Sequence, residues 1–329
     1  MKIAFFGTKP YDKIWFSALA KDYGYTIQFF EAKLNEETVS LAKGYDAVCA
    51  FVNDELTKKV IDELVDYKVR GILMRCAGYN NVDLEAAKGR IPILRVPSYS
   101  PEAVAEFAIA MYLTINRKTH KGYNRTREFN MNINGLMGQD LYHKTAGIIG
   151  TGKIGQAMIR ICKGFGMRVL AYDVYQNPEL DVEYTDLDTI YEKSHMISLH
   201  CPLTKDNYHM IQEKSLKKMR DGVYIINTSR GALIKTSDLL EALLKPGKIG
   251  GVGLDVYEEE GDVFYEDKSN EIMRDDVLAR LVTFPNVLIT SHQGYFTKEA
   301  MQAIAITTME NAYVLDKGLK MENEVVLPD

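Results

Sequence analysis

Short apolar runs alternate with amphipathic stretches through the first hundred residues. Lys2–Phe6, Thr26–Phe30, Asp46–Val52, Val69–Arg75 and Ile91–Val96 are largely apolar without clean alternation, as expected of strands buried on both faces. Ile14–Tyr23, Glu36–Lys43, Glu55–Tyr67 and Leu84–Lys88 lie between them with helical spacing. Strand and helix in strict alternation predict a parallel sheet covered by helices on both faces. Pro97-Ser98-Tyr99-Ser100-Pro101 then forces an extended segment, and a helical pattern runs from Glu102 to Asn116, apolar at Val104, Phe107, Ala108, Met111 and Tyr112. A second alternating series places strands at Thr145–Gly150, Arg168–Tyr172, His195–His200, Gly222–Asn227, Ile249–Asp255 and Asn286–Thr290. The last helical pattern, Lys298–Leu315, is too little for a third domain, so it is expected to pack back on the first. The expected division is 1–99 plus 298–329 for a discontinuous first domain and 100–297 for the second.

The chain has 329 residues, enough for two domains with ordinary cores. Its 45 acidic and 40 basic residues leave a net charge of −5, which excludes a nucleic-acid backbone as the main partner. The basic run Arg117, Lys118, Lys121, Arg125 and Arg127 reads as a solvated helix face. Cys49, Cys76, Cys162 and Cys201 have neither C-x-x-C spacing nor the density of a secreted scaffold, so reduced thiols in a cytoplasmic protein are expected. Lys9, Asp12 and Lys13 interrupt the apolar start too early for a signal peptide. The stretch Ala103–Ile115 carries Glu106 and is too short to span a bilayer, so no membrane partner is expected.

Gly150-Thr151-Gly152-Lys153-Ile154-Gly155 follows the strand ending at Ile149 and opens a helix with Ile154, Met158, Ile159 and Ile161. In that context the glycines permit a tight turn, close approach of backbone N–H groups to a pyrophosphate, and close helix–strand packing. The pyrophosphate would sit at a helix N-terminus. Asp173 ends the next strand, where a carboxylate accepts both adenine-ribose hydroxyls and repels a 2′-phosphate, so NAD rather than NADP is predicted.

Three later strand ends carry candidate chemistry. Asn227-Thr228-Ser229-Arg230-Gly231 brings a guanidinium, Leu254-Asp255-Val256-Tyr257-Glu258-Glu259-Glu260 an acidic run, and Leu288-Ile289-Thr290-Ser291-His292 an imidazole. An arginine to fork onto a carboxylate, a histidine to protonate a carbonyl oxygen and a carboxylate to keep that histidine charged suit the reduction of a 2-oxo acid. Spacing alone does not separate the three glutamates. His195, His200 and His209 lie near Cys201 but match no zinc-ligand spacing; they read as structural, and no metal is expected.

These segments, with Tyr11-Asp12, Phe51-Val52-Asn53-Asp54, Arg75 to Asp83, Val96-Pro97 and Ser198 to Thr204, resemble the NAD-dependent D-2-hydroxyacid dehydrogenases essentially end to end, most closely their fermentative bacterial D-lactate dehydrogenase branch. The segment Asp262–Asn270 through Val277 resembles the longer insert of that branch, whereas Gln293-Gly294 departs from the small or hydroxylated residues that many relatives carry there. The resemblance implies an α/β fold of two doubly wound parallel-sheet domains. One would be a flavodoxin-like substrate domain and the other a Rossmann NAD-binding domain, with the active site in the cleft. It implies NADH-dependent, reversible reduction of pyruvate to D-lactate by a homo-oligomer, dimer or tetramer, acting on small 2-oxo and D-2-hydroxy acids. Carried over residue by residue, Arg230 orients substrate, His292 is the general acid/base, and Glu260, rather than Glu258 or Glu259, is its carboxylate. Cys76, Ala77, Gly78, Tyr99, Arg230 and Tyr295 would contact substrate. Gly150, Gly152, Lys153, Ile154, Gly155, Asp173, Cys201, Pro202, Asn207, Thr228, Ser229, Arg230 and Asp255 would contact the cofactor.

Overall fold

The computed structural model describes residues 1–260, 264–265 and 267–327. They form two compact units: Met1–Ser100 with Thr297–Asp329 (described to residue 327), and Pro101–Phe296.

In the first unit, β1 (Lys2–Phe5), β2 (Thr26–Phe29), β3 (Ala47–Ala50), β4 (Gly71–Met74) and β5 (Ile93–Leu94) form one parallel sheet in the order β2-β1-β3-β4-β5. This is the flavodoxin-like winding, whose strand order reverses between β1 and β3. Helices α1 (Pro10–Asp22), α2 (Lys58–Asp66) and α3 (Leu84–Ala87) connect the strands. β3 and β4 are buried at every position, which explains why their sequences lack alternation. The expected helix at Glu36–Lys43 is only a short 3-10 turn, Val39–Ala42. There Asn35 Oδ1 and Thr38 Oγ1 bond to local backbone N–H groups, offering the chain an alternative to helical pairing.

The terminal helix Lys298–Lys317 belongs to this unit. Gly71 on β4 leaves room for it: an added Cβ would stand 2.6 Å from Leu315 Cδ2. Arg70 donates to the carbonyls of Leu315 and Asp316 at 3.0 Å each, and Tyr25 OH donates to Asp316 Oδ2. Beyond the helix, Val325 N donates to Ile93 O and Arg95 N to Asn323 O, so the returning tail seals the edge at β5.

The second unit opens with α4 (Pro101–Arg117) and α5 (Thr119–Arg127). The basic run spans both, because Lys118 takes a left-handed φ of +51° and breaks the helix; α5 buries none of its residues. A seven-stranded parallel sheet follows, made of β6 (Thr145–Ile149), β7 (Arg168–Tyr172), β8 (Glu183–Tyr184), β9 (Met196–Leu199), β10 (Val223–Asn227), β11 (Ile249–Leu254) and β12 (Val287–Ile289). Its order, β12-β11-β10-β9-β6-β7-β8, is the Rossmann winding with the reversal between β6 and β9. Six of these strands are the six expected. The edge strand β8 is two residues long, too short to leave a periodic signal. Helices α6 (Lys153–Gly164), α7 (Leu187–Lys193), α8 (Glu213–Lys218), α9 (Thr236–Leu243) and α10 (Asp276–Leu281) complete the unit. Part of the insert noted in the sequence, residues 262–263 and 266, lies outside the described residues.

Candidate active site

Ligands of open α/β sheets bind beyond the carboxyl ends of strands where the order reverses. In the second unit that point is the β6 end, and the glycine-rich loop occupies it. Gly150 adopts φ +96°, and an added Cβ would lie 2.5 Å from His200 O, so the turn and its packing on the β9 end both require glycine. Gly155 packs against the Gly150 carbonyl, 1.9 Å from an added Cβ, whereas an added Cβ on Gly152 would meet nothing within 4 Å. Gly152 is the N-cap of the twelve-residue α6, whose first residues are Lys153 and Ile154. This arrangement leaves N–H groups and room for a phosphate at a helix N-terminus.

Asp173 follows β7 beside that loop. Its Oδ2 accepts from Thr151 N at 2.6 Å and Thr151 Oγ1 at 3.1 Å, and its Oδ1 from Tyr175 N at 2.9 Å. Each oxygen of a carboxylate has two acceptor directions, so one direction on Oδ1 remains for a ribose hydroxyl. The loop after β9 carries Cys201, Pro202 and Asn207. Asn207 Nδ2 donates to Pro202 O at 2.7 Å, and Cys201 O accepts from Ser229 Oγ at 2.5 Å, joining this loop to the one after β10. Burial pushes the Cys201 thiol up to about 11, so it stays protonated. Thr228 is buried with no partner for Oγ1, a polar atom that a ligand could satisfy. Glycine loop, helix end, acid and orphaned hydroxyl together fit a dinucleotide.

The ends of β10, β11 and β12 are neighbours in the sheet and carry Arg230, the glutamates and His292. Arg230 Nη1 donates to Ser229 O at 2.8 Å, while Asn227 Nδ2 holds the Arg230 carbonyl at 2.9 Å. The structure gives the three glutamates different partners. Glu260 Oε2 lies 2.9 Å from His292 Nδ1, and its Oε1 accepts from Tyr257 N at 3.1 Å. Glu258 instead pairs with His209 and accepts from Thr236 N and Oγ1. Burial raises its pKa, but the hydrogen bonds from Thr236 and His209 outweigh that and hold it below the usual carboxylate range. Glu259 is exposed.

His292 has a left-handed φ of +55°, a strained backbone for a non-glycine residue. Asp255, 1% exposed, holds that backbone: Oδ1 accepts from Thr290 Oγ1 at 2.6 Å and Gln293 N at 2.9 Å, and Oδ2 from Gly294 N at 2.7 Å. Burial pushes its carboxyl upward against these hydrogen bonds. The carboxylate expected to face cofactor is thus engaged with the histidine loop. Tyr295, three residues beyond His292, is half-buried.

Cys76, Ala77, Gly78 and Tyr99 belong to the first unit. The first three follow β4; Cys76 Sγ donates to Gly78 O at 3.2 Å and Arg95 Nη1 to Ala77 O at 2.9 Å. Tyr99 is half-buried in the extended segment after β5. Just before this loop, Arg75 is buried over the Phe5 and Phe51 rings, with its carbon centre 4.4 and 4.9 Å from their centroids, and it donates to Gly7 O at 3.1 Å. Sequence reading missed it, because an isolated arginine at a strand end carries no sign of its burial. It also missed Gly231, where an added Cβ would stand 1.8 Å from Tyr257 O, locking the Arg230 loop to the start of the acidic run.

Residues 109–294 match the family described as D-isomer specific 2-hydroxyacid dehydrogenase, NAD binding domain. D-lactate dehydrogenase of Escherichia coli (strain K12) is 51% identical over 330 residues, covering 99% of this chain and all of the relative. The apo-structure of D-lactate dehydrogenase from Escherichia coli superimposes with a TM-score of 0.90 at 49% identity, covering 99% of this chain and 100% of that one. The structure of the pyruvate reductase of Chlamydomonas reinhardtii does so with a TM-score of 0.93 at 37% identity, covering 98% of each chain. With a dinucleotide-shaped loop, paired parallel sheets and likeness over the whole length, this chain belongs to the NAD-dependent D-isomer specific 2-hydroxyacid dehydrogenases.

Proposed function

We propose that the protein reduces pyruvate to D-lactate with NADH, reversibly, with His292 as general acid/base. The observation that carries this reading is the Glu260–His292 pair, 2.9 Å apart at the sheet edge that also bears Arg230. Glu260 takes Nδ1–H, which leaves Nε2 to hand a proton to the carbonyl oxygen as it becomes an alkoxide. In the reverse direction Nε2 accepts that proton from the hydroxyl. The contact with Glu260 fixes the ring so that Nε2 is the nitrogen that exchanges the proton. Bound NADH supplies the hydride to C2. Arg230 forks onto the substrate carboxylate, and the backbone N–H groups of the Cys76, Ala77 and Gly78 turn donate to the same group. Tyr99 and Tyr295 are the remaining candidates for substrate contact. Gly150, Gly152, Lys153, Ile154 and Gly155 would hold the pyrophosphate, Asp173 the adenine ribose, and Cys201, Pro202, Asn207 and the Thr228–Arg230 backbone the rest of the cofactor. Asp255 keeps His292 in register.

The D-lactate dehydrogenase and pyruvate reductase names of similar proteins support pyruvate as substrate. Oxidation of NADH followed at 340 nm with pyruvate, with chiral analysis of the product, tests the reading. Turnover to D-lactate is expected. Turnover confined to bulkier 2-oxo acids would move the substrate assignment, and tight NADH binding without turnover would replace the enzymatic reading with a cofactor-sensing one. Four free cysteines suit a reducing cytoplasm, where we place the protein. We also read it as a homo-oligomer. Phe129, Met131, Ile133 and Met137, after α5, are 67–89% exposed, an apolar surface that a second copy would cover. Sedimentation of Ile133→Asp beside the native chain tests this, with a shift to smaller species expected.

A further inference from the structure

We infer that Tyr184 on the edge strand β8 is a positioning residue for cofactor selectivity, acting through Thr151 on Asp173. Four groups form one hydrogen-bonded chain. Asn177 N and Tyr184 OH are 3.1 Å apart, Tyr184 OH and Thr151 Oγ1 3.0 Å, and Thr151 Oγ1 and Asp173 Oδ2 3.1 Å. The two ends set its polarity. A backbone N–H only donates and an ionised carboxylate only accepts, so Asn177 donates to Tyr184, Tyr184 to Thr151, and Thr151 to Asp173. Every hydroxyl in the chain then donates once and accepts once; reversing the central link would leave Thr151 Oγ1 with no hydrogen for Asp173, acceptor against acceptor.

This chain ties three separate pieces of backbone together: the glycine-rich loop at Thr151, the segment Asp173–Asn177, and β8. Thr151 is 4% exposed, so its hydroxyl is shielded from water and depends on Tyr184 for its donor. Asp173 also accepts from Tyr175 N, which leaves Val174 and Tyr175 at the surface, 75% and 87% exposed, beside the carboxylate. Tyr184 thereby sets both the orientation of the carboxylate and the course of the segment next to it. Coupled hydrogen bonds of this kind respond together when one member is removed. The inference rests on the reading of Asp173 as the acceptor of a ribose hydroxyl.

The test is direct titration of NADH and NADPH binding, by nucleotide fluorescence, on the native chain and on Tyr184→Phe, Thr151→Val, the double variant and Asp173→Asn, each checked for folding by circular dichroism. Phenylalanine keeps the ring and removes only the hydroxyl. NADH is expected to bind Tyr184→Phe about three- to tenfold more weakly, the scale of one lost hydrogen bond, with a smaller change for NADPH. The double variant should lose little more than Thr151→Val alone. An unchanged NADH/NADPH ratio in Tyr184→Phe, with the ratio altered in Asp173→Asn, would overturn the inference and leave the Asp173 reading standing. An unchanged ratio in Asp173→Asn would overturn both. Equal weakening of the two nucleotides would also overturn it, since that is the mark of a general loosening of the fold.

Discussion

Asp255 offers the sharpest test of how this site is held. Its carboxylate grips Thr290 Oγ1, Gln293 N and Gly294 N, flanking a histidine whose backbone is left-handed. Asp255→Asn keeps the shape and one carbonyl oxygen, but turns an N–H toward Gly294 N–H, where Oδ2 now accepts at 2.7 Å. The loss is one charge-assisted hydrogen bond, about 1.5–3 kcal/mol. A left-handed residue costs roughly 1–2 kcal/mol, so that loss is enough to let His292 relax toward an ordinary backbone conformation. Displacing a catalytic group by an ångström costs on the order of 100-fold, and the whole contribution of a positioned general acid is about 10²–10⁴, which sets the ceiling. We expect kcat for pyruvate reduction to fall about 10- to 100-fold in Asp255→Asn and further in Asp255→Ala, which removes all three hydrogen bonds. The assay is steady-state NADH oxidation, repeated in a His292→Ala background. There the Asp255 substitution should change kcat little, because the group it positions is gone. Additive losses would refute the reasoning, as would a rise in the KM for NADH with kcat unaffected; that second result would return Asp255 to direct cofactor contact.

Three further expectations follow from the same geometry. Glu260→Gln weakens the hold on His292 Nδ1, so kcat for pyruvate reduction should fall about 10- to 100-fold, while Glu258→Gln, whose carboxylate pairs with His209, leaves kcat nearly unchanged; a loss confined to Glu258→Gln would reverse the assignment. Gly231→Ala drives a Cβ into the Tyr257 carbonyl, so the strand ends must separate; the midpoint of urea unfolding should show a loss of about 1–3 kcal/mol together with reduced kcat, and an unchanged protein would show that the contact yields freely. Burial holds His200 neutral, down to about 4. An imidazole depressed in the folded state adds stability that is complete above its unfolded value of about 6.5 and is lost as pH falls toward 4. His200→Asn should flatten the decline of stability across that window, and an unchanged slope would show that His200 does not set it.

Much of the fold was legible because parallel strands buried on both faces read as continuous apolar runs. β3, β4, β9 and β10 are buried throughout, and each lies within a run seen in the sequence. The elements that escaped are those held by something other than periodicity. β8 exists because β7 offers it an edge, Val39–Ala42 is turned by Asn35 and Thr38, and α5 is separated from α4 by the conformation of a single lysine.

For chemistry the division is different. Residue type and order along the chain determined which groups stand at strand ends: the glycine loop after β6, Asp173 after β7, Arg230 after β10, the glutamates after β11 and His292 after β12. A strand's carboxyl end is a local property, so sequence suffices to place a side chain there. Which glutamate meets which histidine is not local. Three consecutive carboxylates are equivalent in one dimension; only the turn after β11 sends Glu260 toward His292 and Glu258 toward His209. Likewise the burial of Arg75, the grip of Asp255 on the histidine loop and the chain from Tyr184 to Asp173 join residues distant in sequence. Hydrogen bonds and charges act over a few ångströms of space, and only the packed structure decides which groups come that close.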